Sequence, residues 1–505
     1  MRRAGERWIR HNSDRLFWGF LVLHLLSWTM LPALLNANLP LDVIEALAWG
    51  REWQWGFHKH PPMSAWLAEL AGQLSGGADW GLYLLSQVCV AVAFWSVWQL
   101  SRDFLNPMQS LVSVLLLESI AYHTLTSPEF NVNVSLLAFW ALTLFTFWRA
   151  VSRDSTGYWI ACGLFAGLGF LSKYLVVFLL VPLLLFLVAD RLSRKRFRSP
   201  GLYLGAAVFI LVIAPHMAWI WQNDFITLTY GLRRAGSGAG ASFELAKHLI
   251  NPLKFLASQL VLLLPTLLLL WALGSIRMGS GDDHDARQTR FLRFAFIGPF
   301  ACYLLLSALT GMQIRSMWGT TLFLPAGLFI VYHLKNRNDW RLDRFIPAWI
   351  GVMLLLLSLY SAAYLLSPEI RERGKRTHFP GEALAAAVTT KWHETYRQPL
   401  RFVVGDEWLG GNVGWYSSDR PSVYLDGDRK HAPWIIDRQL SEAGGVILWS
   451  VPGGNASYPD EKIESLNRRF GRVLPQPPLS LAWQTPTPIP GLTIGWALIP
   501  PGENR

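Results

Sequence analysis

Eleven long apolar stretches restrict this chain to one broad class of fold. A helix that crosses a bilayer needs about 20 mostly apolar residues. The sequence contains such stretches near residues 16–36, 80–100, 108–126, 132–149, 157–172, 174–189, 201–221, 253–273, 291–310, 317–334 and 345–366. Only 16% of the residues are charged, compared with about 25% in soluble domains. We therefore predict a mainly α-helical, polytopic membrane bundle over residues 1–366. Lys173 divides two of its helices, because one helix across both stretches would exceed any bilayer.

The positions of the basic residues predict how the bundle is oriented. Lys and Arg are concentrated in the N-terminal segment and in alternate connections, which include residues 149–153, 191–198 and 335–344. The positive-inside rule assigns these connections and the N-terminus to the cytoplasm. The opposite connections, which include residues 37–79 and everything after Ser367, are then expected outside. The basic N-terminus precedes an apolar stretch that lacks an A-x-A cleavage site, so we expect the first helix to be retained.

The net charge of +11 does not indicate nucleic acid as a partner. The basic residues occur in short clusters between apolar stretches, which is the pattern of membrane topology. Membrane lipids are therefore the expected surroundings. The three cysteines, Cys89, Cys162 and Cys302, all lie inside apolar stretches, which argues against a disulfide framework and against a thiolate metal site.

The composition changes after Ser367. Strand-like runs occur at residues 401–404, 423–425, 445–449 and 492–498, and helical runs occur at residues 382–396 and 459–470. Strands that alternate with helices predict a small α/β domain. We assign this domain to residues 367–505 and expect it in the periplasm.

Ionisable side chains are concentrated in the outer loop at residues 37–79, where we expect the catalytic chemistry. Asp42 can act as a general base on a hydroxyl nucleophile; alternatively, it is the N-cap of a helix, with Glu45 at the capping-box position. His58, Lys59 and His60 precede two prolines, and three potentially cationic donors before a rigid turn suit a phosphate. Contact with lipid headgroups is the alternative. A metal held by the two histidines lacks a third ligand at an obvious spacing, so we expect none.

Other cations lie in connections on the same predicted side. Lys173 stands between two apolar stretches, where an ionisable residue is expensive and usually functional, although a lysine at a helix end can also snorkel to the headgroups. The adjacent Arg233 and Arg234 can clamp a phosphate or contact lipid headgroups. Arg315 is a further outward cation at the start of a predicted helix.

Polar residues near the third and fourth apolar stretches have two expected roles. Glu118 lies within an apolar stretch, where pairing with another helix is expected. Glu129 and Asn133 lie in and beside a short outer connection and are candidates to hydrogen-bond a sugar.

Asp42, followed eighteen positions later by His60-Pro61-Pro62, resembles the first loop of the family 39-type membrane glycosyltransferases, which have the GT-C fold. This family includes protein O-mannosyltransferases and the bacterial enzymes that attach aminoarabinose or galacturonic acid to lipid A. Residues 171–174 and 315–319 are also similar to the bacterial branch, and the resemblance covers roughly residues 15–335. The family's usual pattern is Asp-Glu, whereas Val43 follows Asp42 here. The second acid is therefore missing or displaced to Glu45, which weakens any interpretation that needs a carboxylate pair, including a divalent-metal site.

The resemblance implies a transferase that moves one sugar from a polyprenyl-phosphate carrier, with no nucleotide sugar, to a hydroxyl of lipid A, lipopolysaccharide or another envelope glycan. It would work on the periplasmic side of a bacterial inner membrane and invert the anomeric carbon. Asp42 would be the base. The donor phosphate would bind Lys59, His60, Lys173, Arg233, Arg234 and Arg315. The acceptor or sugar would contact Glu45, His58, Glu129 and Asn133. A transporter or flippase of lipid-linked sugars and a non-catalytic assembly subunit stay open as alternatives.

Overall fold

The protein is mainly α-helical in the computed structural model, which describes residues 2–234, 244–274, 285–336, 340–451 and 473–502, together with residues 464, 467, 468 and 471; side chains are described from residue 11 onward. The helices up to residue 365 are α1 (Arg2–Leu35), α2 (Leu41–Gly50), α3 (Met63–Leu74), α4 (Trp80–Ser101), α5 (Pro107–Glu118), α6 (Val132–Arg153), α7 (Thr156–Ser172), α8 (Val177–Ala189), α9 (Pro200–Gln222), α10 (Ile226–Arg234), α11 (Leu245–Leu262), α12 (Leu264–Leu273), α13 (Ala286–Thr310), α14 (Ala326–Leu334) and α15 (Leu342–Leu365).

Six helices in the described part of the chain are long and apolar enough to cross a membrane, namely α1, α4, α6, α9, α13 and α15. The pair α11 and α12 makes a seventh span if the 50° bend between them lies within one crossing, and α5, α7 and α8 are shorter apolar helices. Lys173 has an extended backbone (φ −163°, ψ 135°) and ends α7, so the predicted division there is confirmed. Two predicted helices were too long, because α5 stops at Glu118 and α14 begins only at Ala326.

The chain forms two compact units. Unit 1 comprises Met1–Met30, Lys59–Met63 and Tyr83–Ser358, and unit 2 comprises Leu31–His58, Ser64–Leu82 and Leu359–Arg505. Unit 1 contains most of the apolar helices. Its helix ends follow from local sequence: Asn106 and Gln109 form a capping box at the start of α5. The side chain of Asn131 accepts hydrogen bonds from two backbone N–H groups in the first turn of α6. Such caps satisfy donors that have no partner within the helix.

Buried polar contacts connect the helices of unit 1. His24 Nδ1 lies 3.0 Å from Glu118 Oε1, and His24 Nε2 lies 3.1 Å from the side-chain oxygen of Gln87. The predicted interhelical role of Glu118 is therefore confirmed. At another group of helix ends, Asp190 contacts Arg290 at 2.6 Å. Charges in an apolar bundle need such partners, because an unpaired buried charge costs several kcal/mol.

Unit 2 is built around a mixed sheet. Its elements after residue 366 are α16 (Ser367–Arg371), α17 (Gly381–Tyr396), β1 (Phe402–Gly405), α18 (Leu409–Tyr416), β2 (Ser422–Leu425), α19 (Asp437–Ala443), β3 (Gly445–Ser450), β4 (Leu474–Pro475), β5 (Leu479–Leu481) and β6 (Leu492–Ile499). The strand order is β2-β1-β3-β6-β4, and β5 also pairs with β6. The strands β2, β1 and β3 are parallel, whereas β6 is antiparallel to β3, β4 and β5.

Alternate strand residues fill two cores on opposite faces of this sheet, as the period of two in a strand requires. One core contains Val403 and Trp496 together with Trp392 of α17 and Phe57. The other contains the neighbouring residues, such as Val404, Tyr424 and Ala497. The segment that precedes the second apolar stretch is therefore part of the core of the α/β unit.

The four strand-like runs correspond to β1, β2, β3 and β6, and the helical run at 382–396 corresponds to α17, so these predictions are confirmed. Two short strands, β4 and β5, were missed because they lie in or beside a proline-rich stretch. The glycine-rich α18 was also missed. The helical run predicted at residues 459–470 lies almost entirely outside the described residues.

Candidate active site

Asp42 lies in the first turn of α2, a half-buried position in unit 2. The helix begins at Leu41, its N-cap is Pro40, and no side chain caps it. The interpretation of Asp42 as the N-cap is therefore wrong, because the helix begins two residues earlier than that interpretation requires. A carboxylate in the first turn is favoured by the helix dipole. Glu45 follows on the same helix and is 8% exposed.

His58 also belongs to unit 2 and is almost fully buried. Its Nε2 lies 3.4 Å from Glu407 Oε1, and its ring stacks on His431 with the ring centroids 4.3 Å apart. His431 in turn lies 3.3 Å from Asp426. His58 is thus integrated into the α/β unit, and its contact with the sugar or acceptor stays a prediction.

Glu52 is a half-buried acid in the same loop, for which no role was predicted. Burial raises the pKa of this carboxyl above its ordinary value of 4.5. A hydrogen bond with Ser422 and the charge of Arg51 oppose that rise, while the charge of Glu69 adds to it. The carboxylate of Glu52 is therefore costly to keep ionised in the folded protein.

Lys173 and Asn133 are in direct contact in unit 1. The Lys173 Nζ lies 2.5 Å from the side-chain oxygen of Asn133, which is buried in the first turn of α6. The same ammonium lies over the Trp318 ring, 5.4 Å from its centroid. Arg315 immediately precedes the short 3-10 helix that contains Trp318, so it is a near neighbour in sequence of the ring that Lys173 contacts.

A second set of contacts joins the break at Lys173 to α10. The hydroxyl of Tyr174, the next residue, lies 2.8 Å from His216 Nε2 on α9 and also hydrogen-bonds with Thr227 on α10. One turn further along α10, Tyr230 packs edge-to-face on His60 with the ring centroids 6.0 Å apart. No local feature of the sequence pointed to Thr227 or Tyr230, and Tyr174 was indicated only by its position beside Lys173.

The remaining predicted residues also lie in unit 1. Arg233 and Arg234 form the last turn of α10 and are exposed. Lys59 and His60 are half-buried in the turn before Pro61, and Glu129 is half-buried in the connection before α6. Unit 1 therefore holds all six cations predicted for the donor phosphate, and unit 2 holds Asp42, Glu45 and His58. Within the described residues, no three His, Cys, Asp or Glu side chains are grouped so that they could hold a metal ion.

Comparisons with known proteins match the sequence and the fold of this chain to one class of protein. The family model described as dolichyl-phosphate-mannose-protein mannosyltransferase matches residues 59–219. The lipid A galacturonosyltransferase RgtD of Rhizobium johnstonii is 25% identical over 65% of this chain and 67% of that protein. The lipopolysaccharide core galacturonosyltransferase RgtB of the same organism is 22% identical over 92% of this chain and 94% of that protein.

Among solved structures, ArnT from Cupriavidus metallidurans bound to undecaprenyl phosphate has the same fold. It is 11% identical, with a TM-score of 0.63 over 97% of this chain and 99% of that one. These matches identify the chain as a membrane glycosyltransferase of the GT-C fold. Within that class it is related to the protein mannosyltransferases and to the bacterial galacturonosyl- and aminoarabinosyltransferases. It is a multi-pass protein of the inner membrane.

Proposed function

We propose that the protein transfers a single sugar from a polyprenyl-phosphate carrier to a hydroxyl group of lipid A, lipopolysaccharide or another envelope glycan. The observation that carries this proposal is the match along nearly the whole chain to a lipopolysaccharide core galacturonosyltransferase. The shared fold with a protein bound to undecaprenyl phosphate supports the choice of donor.

The donor phosphate binds the basic side chains of unit 1. Lys173 is held by Asn133 and lies over Trp318, while α10 carries Arg233 and Arg234 and contacts His60 through Tyr230. Cations fixed in advance by such contacts stabilise negative charge as it develops on a leaving group. Lys59 and Arg315 complete this set.

The transfer is a displacement at the anomeric carbon. The acceptor oxygen forms a bond to that carbon, the bond from the carbon to the phosphate oxygen breaks, and polyprenyl phosphate leaves with the electron pair. Asp42 takes the acceptor proton as a general base. Attack opposite the phosphate inverts the anomeric configuration, and Glu45, His58, Glu129 and Asn133 contact the sugar or the acceptor.

The reaction takes place on the periplasmic side, with a cytoplasmic N-terminus and a periplasmic domain after residue 367. The alternation of basic connections supports this orientation. No nucleotide sugar takes part, since the carrier already supplies an activated sugar. A divalent metal is not required, because Val43 rather than a second acid follows Asp42.

Asp42→Asn tests the proposal directly. Membranes that contain the variant receive a labelled polyprenyl-phosphate sugar, and both the released carrier phosphate and the labelled glycolipid are measured. General-base catalysis contributes about 10²–10⁴-fold, so the variant is expected to lose at least about 10²-fold in rate while it still inserts and folds. The same assay in the presence of a chelator tests whether a metal is needed.

Asp343→Asn is the matched control. Asp343 is also an acid in the first turn of a helix, α15, but it pairs with Arg341 and is 37% exposed. The control is expected to keep the wild-type rate. Wild-type turnover by Asp42→Asn would remove Asp42 as the base, and transport of labelled carrier without any transfer would identify a flippase instead.

A further inference from the structure

The three residues that lead into α2 are held by groups far along the chain, within unit 2. The backbone N–H groups of Ala37 and Asn38 both donate to the carbonyl oxygen of Thr377, at 3.0 and 3.1 Å. The N–H of Leu39 donates to the hydroxyl oxygen of Tyr416 at 3.1 Å. Three consecutive donors before the helix that carries Asp42 are therefore satisfied from the part of the chain after residue 359.

Asp79 fixes the direction of the Tyr416 hydroxyl. This hydroxyl donates to Asp79 Oδ2 at 2.7 Å, and Trp415 Nε1 donates to Asp79 Oδ1 at 3.0 Å. Burial raises the pKa of Asp79, and the two hydrogen bonds oppose that rise. A tyrosine hydroxyl has one hydrogen. Because Asp79 accepts it, a lone pair of the oxygen is left for Leu39.

Glycine lets α18 approach α2 very closely. A methyl group at Gly411 would lie 2.6 Å from Ile44 Cγ2 and 3.4 Å from the Ile44 carbonyl oxygen. Both α2 and Leu39 are thus fixed against the same short helix of the α/β unit. A scaffold that holds a catalytic group by close packing and backbone hydrogen bonds limits its displacement.

We infer that the α/β part of unit 2 is the scaffold that positions Asp42, and that Tyr416 is a positioning residue for the transfer reaction. The inference rests on the proposed role of Asp42 as base. Tyr416 is not catalytic; it acts through the backbone of Leu39, three residues before the acid. A misplacement of about 1 Å at a reacting group can cost about 10²-fold in rate, which sets the scale of the expected effect.

Tyr416→Phe removes the hydroxyl while it keeps the ring. We expect kcat to fall about tenfold or more, with the KM for the donor little changed, because the phosphate-binding cations lie in unit 1. Tyr424→Phe is the matched control. Tyr424 is fully buried in β2 of the same unit, and its hydroxyl lies 3.2 Å from Asp437 Oδ1, so this variant is expected to keep its kcat.

Two further measurements separate positioning from a general structural role. Added to Asp42→Asn, the Tyr416→Phe change is expected to cause no further loss of rate, because there is no longer a base to misplace. Hydrogen exchange at the amides of residues 37–39 is expected to speed up in Tyr416→Phe and to stay unchanged in Tyr424→Phe. If Tyr416→Phe does not accumulate, Asp79→Asn offers one carbonyl oxygen to two donors and is expected to lower kcat in the same way.

The outcomes distinguish this inference from the proposed function. An inactive Asp42→Asn with a fully active Tyr416→Phe overturns the positioning role alone. An equal loss from Tyr416→Phe in the wild-type and Asp42→Asn backgrounds also overturns it, because the effect then does not pass through Asp42. Wild-type turnover by Asp42→Asn overturns both.

Discussion

Removal of the Arg420 guanidinium is expected to destabilise unit 2 by about 3 kcal/mol. Arg420 Nη2 lies 3.0 Å from Glu69 Oε2, and the two side chains are 28% and 6% exposed. Loss of one partner of a buried pair costs about 3–5 kcal/mol, since the other charge stays buried. The partial exposure of Arg420 moves the expectation toward the lower limit. The guanidinium also lies over the Trp415 ring at 4.1 Å, a contact worth about 0.5–1 kcal/mol, so about 3 kcal/mol is the lower limit of the expected loss.

Arg420→Met tests this expectation in thermal unfolding of the purified full-length protein in detergent. For a folded unit of about 200 residues, 3 kcal/mol corresponds to a fall in Tm of roughly 6–12 °C. Arg438→Met is the matched control, because Arg438 pairs with Glu442 at 2.6 Å on the exposed surface of α19. Exposed pairs contribute little, so its Tm should not change.

The double variant Glu69→Leu/Arg420→Met distinguishes the loss of the ion pair itself from the cost of keeping Glu69 buried without the charge of Arg420. Burial lowers the pKa of Arg420 and the charge of Glu69 opposes that, so the charge of Arg420 is costly to bury. Replacement of both by apolar groups should restore most of the lost stability, as is common for buried pairs. If the single variant unfolds at the wild-type temperature, or if the double variant is less stable than the single one, the reasoning is refuted.

Two more predictions concern single side chains. Lys173→Met removes the ammonium that Asn133 holds. The affinity for undecaprenyl phosphate should then fall about 10²-fold. Unchanged binding of a fluorescent carrier phosphate would contradict the assignment of Lys173 to the donor phosphate. Glu52→Gln tests the dependence of stability on pH. Because the pKa of Glu52 is raised in the folded state, the native protein keeps the proton to a higher pH than the unfolded chain does. The contribution of Glu52 to stability is therefore greatest below its ordinary pKa of 4.5 and is lost as the pH rises through the folded pKa. The glutamine variant should therefore have a higher Tm than the wild type at pH 7.5 and a smaller fall in Tm between pH 4 and 7.5, and equal pH profiles would rule this out.

The bundle was predictable because a bilayer imposes a length and a polarity on each helix. Even the division at Lys173 followed from bilayer thickness alone. The ends of the helices were less predictable: α5 stops at Glu118 although the apolar composition continues, since the chain turns there into a short 3-10 helix. Composition indicates which segments are buried, but it does not indicate which backbone groups are hydrogen-bonded, and these bonds decide where a helix ends.

The candidate site was only partly visible in the sequence because its contacts join distant residues. Lys173 and Asn133 were each identified from local features, but nothing local indicated that they touch across 40 positions. Tyr230 and Tyr416 were missed for the same reason, as aromatic residues are common in such a chain and their partners lie elsewhere. The start of α2 shows the opposite case. Pro40, which cannot donate a backbone hydrogen bond, was a local signal for the helix start, but the prediction followed the capping preference of Asp instead.

The distance along the chain between Asp79 and Tyr416 has a consequence for biosynthesis. These residues are 337 positions apart, and at about 5–20 residues per second a ribosome adds the second roughly 17–70 s after the first. During that interval the nascent segment around α2, with the apolar side chains of Ala48, Trp49 and Phe57, has no sheet to pack against. Each newly made molecule thus passes through a stage in which this apolar segment has been synthesised before the strands that cover it. A chain that terminates before residue 359 never acquires those strands.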